Sequence, residues 1–263
     1  MMVGSGGELR LVGIAAWSIL AFLILPSLII IPIGFGNSNE IIFPPNRFGI
    51  ELFVRFFTEP GWVSATLVSL RVACATTFLS VVVGVPAAYA LSRGRFPGKR
   101  LLALFLLSPI MVPGVVVAVA LYIYFARIGL RDGDVRLVLG HVVATLPFVI
   151  VTASAGLRQV DPALETAATI MGASRFYLFR RVTLPLIRPS IIAGALFAFL
   201  ISFDEVVISW FVARADTTTL PVKMFSSIQW EVSAVLAAIS TMLTALSALV
   251  CLAVARLQGK ESA

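Results

Sequence analysis

Three ionisable residues interrupt long apolar stretches of the sequence: Arg71, Asp204 and Glu205. A charged side chain is costly in hydrocarbon, so residues of this kind normally face a protein interior or a water-filled path. Two interpretations remain open. In the first, Arg71 pairs with one of the acids and joins two membrane helices; in the second, at least one carboxylate faces a translocation path and attracts a cationic solute. Adjacent residues of a helix point about 100° apart, so one arginine would neutralise only one of the acids well.

The residues that enzymes use most often for nucleophilic, acid–base or metal chemistry are scarce. His141 is the only histidine, and Cys74 and Cys251 lie in apolar stretches without His or Cys neighbours at metal-ligand spacing. Asp204 and Glu205 form the one adjacent acid pair in these stretches. The sequence therefore predicts no catalytic site, no metal site and no cofactor in this chain.

The composition places these residues in a membrane protein. Of the 263 residues, 59% are hydrophobic and 13% are charged, which is far too apolar for an ordinary soluble domain. Six apolar stretches are long enough to cross a bilayer as helices: residues 12–33, 63–91, 101–125, 137–157, 190–212 and 232–254. We therefore predict an all-α, polytopic membrane protein with six transmembrane helices in one domain, residues 1–263, and a short additional helix near residues 50–57.

The distribution of basic residues orients the predicted spans. Twelve arginines and lysines fall in the segments on the side of the two termini, and seven fall on the other side. Cytoplasmic loops carry the excess of basic residues, so both termini are predicted to be cytoplasmic. The net charge of +7 follows from this arrangement and requires no nucleic-acid partner. Arg71 and Asp204 then each lie eight residues, or about 12 Å, from the outer end of a span.

Residues 161–189 form a long amphipathic segment on the predicted cytoplasmic side. Asp161 is a favourable N-cap for a first helix, Gly172 is predicted to end that helix, and Ser174 to cap a second short one. Pro185 is predicted to break the second helix. The apolar face of the first helix consists of Leu164, Ala167, Ala168 and Met171. The pattern alone fits a loop that lies on lipid headgroups as well as a docking surface for a partner.

This loop resembles the EAA loop of the membrane permease subunits of ABC importers. The resemblance lies in Ala167-Ala168, then Gly172, then Val182-Thr183-Leu184-Pro185. In that family the loop forms the coupling helix, which sits in a groove of the cytoplasmic ATPase. Thr166 stands where the family usually has a glutamate, and Glu165 lies one place earlier. The resemblance implies an ATPase-docking loop at residues 158–189 with these candidate residues: Glu165, Thr166, Ala167, Ala168, Gly172, Leu184 and Pro185.

Further segments are similar to the second permease subunit of spermidine/putrescine-type importers, and together they cover nearly the whole chain. They are Phe43-Pro44-Pro45, Glu59-Pro60-Gly61-Trp62, Ala87-Ala88-Tyr89-Ala90-Leu91-Ser92-Arg93, Pro109 to Pro113-Gly114, Ser202-Phe203-Asp204-Glu205 and Thr219-Leu220-Pro221. The resemblance implies an importer permease of type I in the bacterial cytoplasmic (inner) membrane. Its implied solute is a polyamine or another small, cationic molecule; relatives that carry ferric iron, thiamine or other small solutes are the alternative.

The resemblance also implies the partners of such a chain. They are a second permease subunit in a heterodimer, an external or periplasmic solute-binding protein, and a cytoplasmic ATPase dimer that uses the ATP. A secondary carrier powered by an ion gradient is the competing function of another class. Such a carrier would be expected to show repeat symmetry and a coupling-ion site near the midplane, and the sequence shows no strong internal repeat.

The docking interpretation predicts that Gly172→Leu uncouples the assembled complex, because a large side chain would disturb the turn between the two loop helices. ATPase association and ATP-driven uptake in proteoliposomes measure the effect. Full association and full uptake in this variant would contradict the docking role.

Overall fold

The computed structural model describes residues 6–38, 40–230 and 233–259, and these residues form helices and loops without a β-strand. An isolated bridge joins Gly36 to Phe48. The α-helices of the described ranges are α1 (Gly6–Gly34), α2 (Glu51–Thr58), α3 (Trp62–Arg93), α4 (Lys99–Leu107), α5 (Gly114–Arg127), α6 (Gly133–Gln159), α7 (Pro162–Ile170), α8 (Arg175–Leu178), α9 (Leu184–Leu186), α10 (Arg188–Phe203), α11 (Val207–Val212), α12 (Leu220–Trp230) and α13 (Val235–Gly259).

Within the described ranges, three helices are long and apolar enough to cross a membrane unbroken: α1 from Val12 onward, α3 and α6. They coincide with the first, second and fourth predicted spans. Two pairs of helices are long and apolar enough only when each pair is taken together: Lys99–Ile110 with Gly114–Arg127, bent by 104°, and Arg175–Leu186 with Arg188–Phe203, bent by 76°. Helix α13 contains a shorter apolar stretch, Val235–Leu249. The short helix predicted near residues 50–57 is α2. The helical class of the prediction is thus confirmed, whereas the count of six spans stays a prediction.

The third predicted span contains Pro109, Pro113 and Gly114, and the structure bends there. Its first part, Lys99–Ile110, ends in a 3₁₀ turn, and α5 starts at Gly114 after a bend of 104°. Pro113 is the N-cap of α5. Proline has no amide hydrogen and its ring clashes with the preceding turn of a helix, so a new helix starts after it.

The fifth predicted span is wrong as a continuous helix. It consists of α10 and α11, and residues 204–206 between them are not helical. The acids Asp204 and Glu205 therefore lie in a break, and the argument from adjacent helical positions does not apply to them. The Glu205 side chain accepts a hydrogen bond from the amide of Ile208, and this bond to the first turn of α11 supports a new helix start.

The backbone divides into two compact units, residues 1–63 with 226–263 and residues 64–225. In the first unit, α1 packs against α13 where Gly34 meets Thr241; a Cβ atom at Gly34 would collide with the threonine hydroxyl. Leu52 of α2 is buried with Ala234 and Ala238 in the same unit.

In the second unit, α6 is the helix against which α3, α10 and α11 pack. The larger core cluster joins Ala88 of α3, Val149 and Ala153 of α6, and Ala198 of α10, all of them buried. Small residues bring the helices close together, as at Gly156, where a Cβ atom would lie 2.6 Å from the Cβ atom of Ser190. Close approach through small residues is the usual way in which membrane helices associate.

The close contact at Gly156 allows a test of this packing. In Gly156→Ala the added methyl group forces α6 and α10 apart, and overpacking of this kind costs about 1–3 kcal/mol. We expect a lower melting temperature of the purified protein. Gly114→Ala is the matched control, because a Cβ atom there meets nothing within 4 Å. Equal melting temperatures for the two variants would contradict the described packing.

Candidate functional site

The loop between α6 and α10 begins as the sequence predicts. The Asp161 side chain accepts a hydrogen bond from the Ala163 amide at 2.8 Å and caps α7. Gly172 has a φ of +86°, in the left-handed region that favours glycine, and it ends this first helix. The Ser174 hydroxyl accepts from the Tyr177 amide at 3.3 Å and caps α8. These three predicted positions are confirmed.

The second loop helix is longer than predicted. From α8 it continues through a π-helical turn, Phe179–Thr183, into α9 and ends at Ile187. Pro185 therefore does not break it. The proline lies in the first turn of α9, where its missing amide hydrogen is tolerated, and the π-helical turn before it changes the hydrogen-bond register.

Large apolar side chains of the loop are exposed around its turn. Ile170 is 81% exposed, Met171 82% and Phe176 71%, whereas Ala168 is buried. The predicted apolar face is therefore only partly buried within the chain. A groove between the two loop helices is lined by Ala168, Met171, Gly172, Ala173, Ser174, Tyr177 and Val182. An apolar surface of this kind is typical of a contact with lipid or with another protein.

A half-buried ion pair anchors this loop to the ends of two long helices. Glu165 accepts from Arg93 Nε at 3.0 Å, and its other oxygen accepts from the Thr183 hydroxyl at 3.2 Å. Arg93, the last residue of α3, also donates to the carbonyl oxygens of Leu157 and Val160, at 2.9 and 3.1 Å, at the end of α6. The side chains of Glu165 and Arg93 are 12% and 24% exposed. The Glu165 carboxylate thus connects α7 to the π-helical turn and to Arg93 of α3, and Arg93 in turn connects α3 to α6.

Thr166, in contrast, is exposed and donates only to the carbonyl oxygen of Pro162 in its own helix, at 2.9 Å. The sequence pattern places both Glu165 and Thr166 in the loop but does not indicate the partner of Glu165. Arg93 lies 72 residues earlier in the chain. The available signal was the position of Arg93 at the end of a predicted span, on the same predicted side of the membrane as a loop with an acid in its first helix.

Arg71 pairs with neither Asp204 nor Glu205, so this predicted pairing is wrong. Its guanidinium group donates to Asp134 at 2.7 Å. Asp134 is the second residue of α6, so the Arg71 guanidinium group lies at the N-terminal end of that helix. Helix α3 has 32 residues and is about 48 Å long, which exceeds the roughly 30 Å of hydrocarbon. The depth of about 12 Å for Arg71 stays a prediction.

The two acids of the break have different surroundings. Glu205 is half-buried and accepts from the Ile208 amide at 2.9 Å. Asp204 is exposed, and its side chain has no ion pair or hydrogen bond to any residue in the described ranges. Asp204 is also the C-cap of α10, where the helix carries partial negative charge. The break therefore presents an unneutralised carboxylate at a helix end that itself favours cations.

Comparison with known proteins connects these features to a family. A family profile described as "Binding-protein-dependent transport system inner membrane component" matches residues 80–260. The chain is 33% identical to the spermidine/putrescine permease protein PotC of Haemophilus influenzae, over 86% of this chain and 88% of that one. It is 31% identical to the putrescine permease protein PotI of Escherichia coli K12, over 84% of this chain and 81% of that one.

Solved structures show the same fold at lower sequence identity. A bacterial ABC transporter involved in the import of the acidic polysaccharide alginate matches 97% of this chain and 99% of its own, with a TM-score of 0.73 and 15% identity. An alginate ABC transporter in complex with a pentasaccharide-bound periplasmic protein matches 92% and 91%, with a TM-score of 0.66 and 19% identity. The chain belongs to the inner membrane components of binding-protein-dependent transport systems and is an ABC importer permease.

Proposed function

We propose that this permease forms half of the translocation path for a small cationic solute of the polyamine class. The observation that carries the proposal is the exposed carboxylate of Asp204, which has no partner in the described part of the chain and lies at the break between α10 and α11. An unpaired carboxylate in a span cannot face lipid without a large cost. It therefore faces water, a second subunit or the solute.

The charge of this position favours a cation in particular. The C-terminal end of α10 adds partial negative charge to the Asp204 carboxylate, and ends of broken membrane helices are common cation sites in transporters. Arg71 does not offset this charge, because its guanidinium group is paired with Asp134 at the N-terminal end of α6. An ammonium group of a polyamine fits both features.

The relatives support the same class of solute. The PotC proteins are named for spermidine and putrescine and PotI for putrescine, and each aligns with more than four fifths of this chain. The alginate transporters share the fold at 15–19% identity and carry no argument about the solute. Ferric iron, thiamine or another small solute carried by the same machine is the alternative, whereas the family assignment gives a secondary carrier no support.

The cytoplasmic loop is the proposed docking surface for the ATPase. Its exposed apolar residues, Ile170, Met171 and Phe176, surround the turn at Gly172, and the pair of Glu165 with Arg93 connects this surface to α3 and α6. A movement of the docked ATPase would thus reach both long helices through one ion pair. The proposal includes six spans in one domain, cytoplasmic termini, a second permease subunit, an external binding protein and ATP hydrolysis by the ATPase dimer.

Asp204 and Glu205 are expected to respond differently to substitution. Asp204→Asn removes the unpaired charge, so putrescine uptake by the assembled complex should fall at least tenfold while assembly stays intact. Glu205→Gln keeps an oxygen acceptor for the Ile208 amide and should transport normally, whereas Glu205→Ala loses this bond, at about 1 kcal/mol, and should lower the melting temperature. Normal putrescine uptake in Asp204→Asn would contradict the proposed role of this carboxylate.

The pair of Glu165 with Arg93 is expected to hold the loop in place. In Glu165→Ala, Arg93 and Thr183 lose their shared acceptor, and amides of residues 161–172 should exchange hydrogen about tenfold faster, which corresponds to about 1.4 kcal/mol. Uptake per ATP hydrolysed should fall at the same time. Thr166→Ala is the neighbouring control for hydrogen exchange and should leave the exchange rates unchanged, because Thr166 donates only to a carbonyl oxygen of its own helix. Identical behaviour of the two variants would show that the ion pair does not anchor the loop.

A further inference from the structure

The single histidine of the chain lies at the break in the fifth span. His141 is in α6 and is 1% exposed. Its Nδ1 atom is 2.8 Å from the hydroxyl oxygen of Ser202, and its Nε2 atom is 2.8 Å from the hydroxyl oxygen of Ser209. Ser202 belongs to the last turn of α10, Ser209 belongs to α11, and both are buried. One imidazole ring therefore bridges the two halves of the broken helix.

The hydrogen-bonding capacities of the three side chains match. A neutral imidazole has one donor nitrogen and one acceptor nitrogen, and each serine hydroxyl can act in either role. Both ring nitrogens are thus satisfied without a charge in the membrane interior. The two side-chain bonds connect α10 and α11 to a neighbouring helix on both sides of the break at residues 204–206.

The part of α6 that carries His141 has hydrogen bonds and close contacts to two other helices. The Thr145 hydroxyl donates to the carbonyl oxygen of His141 at 2.9 Å and lies 2.8 Å from the Ser80 hydroxyl of α3. At the adjacent Gly140, a Cβ atom would lie 2.9 Å from a methyl carbon of Ile208. Helix α11 therefore approaches α6 closely at the same level, and α3 supports α6 from another side.

We propose that His141 is a positioning residue for transport: its two serine bonds fix α10 and α11 relative to α6 and thereby set the direction of the Asp204 carboxylate. This inference rests on the proposed role of Asp204 in attracting a cationic solute. His141 itself does not contact the solute in this scheme, because its ring is buried and both of its nitrogens are engaged. Loss of the two serine bonds should make residues 204–206 more mobile. The KM for the solute should then rise more than the maximal rate of uptake falls.

The first test separates recognition from turnover in the complete complex, reconstituted with its second permease, ATPase and binding protein. The variants are His141→Leu, His141→Asn and His141→Gln. The amide of Asn reaches the place of Nδ1 and that of Gln the place of Nε2, so each keeps one of the two serine bonds. We expect the KM for putrescine uptake to rise at least tenfold in His141→Leu and about threefold in the other two, with smaller changes in maximal rate.

The matched control is Thr76→Val. Thr76 is a fully buried residue of α3 whose hydroxyl has no hydrogen-bond partner among the described residues, so the isosteric change removes no bond. The KM of the Thr76→Val variant for putrescine uptake should equal that of the wild type. Adding Ser202→Ala to His141→Leu should change the KM little further, because the bond between His141 and Ser202 is already absent.

The second test does not depend on the solute. Amide hydrogen exchange of residues 203–209 in the purified complex should be about tenfold faster in His141→Leu, intermediate in His141→Asn and His141→Gln, and unchanged in Thr76→Val. If the wild type does not take up putrescine, the proposed solute is wrong, and the exchange rates still decide whether His141 holds the break. If His141→Leu does not assemble, the Asn and Gln variants decide. Wild-type exchange in these variants, or faster exchange with an unchanged putrescine KM, would overturn the proposal.

Discussion

The close packing of α6 against both halves of the fifth span is the constraint on which the second unit depends. Gly156 of α6 admits Ser190 of α10, and Gly140 of α6 admits Ile208 of α11. Each half therefore has its own contact with the same helix. A break between them is tolerated because neighbouring helices hold both ends, as is common for irregular backbone in membrane proteins. Helix α11 also packs against α5, where Ile208 and Val212 are buried with Ala118 and Phe125.

The charged residues beside these packed helices differ in their partners. Arg71 and Asp134 form an ion pair at the N-terminal end of α6, and Glu205 accepts a hydrogen bond from the first turn of α11. Asp204 alone among these residues has no partner in the described ranges. The paired residues stabilise the packing of the helices. The Asp204 carboxylate is the one that we propose to attract the solute. In the loop between α6 and α10, the pair of Glu165 with Arg93 joins α7 to α3 and α6.

Local signals in the sequence predicted local structure well. The cap at Asp161, the glycine turn at Gly172 and the cap at Ser174 depend on residues within three or four positions, and long apolar stretches identified α3 and α6. The failures have a common cause. The pairing of Arg71 with Asp134, and that of Arg93 with Glu165, spans 63 and 72 residues, so it depends on how helices pack. The break after Phe203 is likewise held by contacts with α6, which apolar composition does not reveal.

The measurement that tests the central claim most directly is the rate of thiol modification beside the break. Val207→Cys, in a protein with Cys74 and Cys251 replaced by serine, places a thiol at a partly exposed position at the start of α11. We expect water-soluble thiol reagents to react there, a cationic reagent faster than an anionic one of similar size. Putrescine should slow the cationic reagent, and Asp204→Asn should remove the preference for positive charge. A thiol that does not react, or equal rates for both reagents regardless of Asp204, would contradict an accessible carboxylate that attracts a cationic solute.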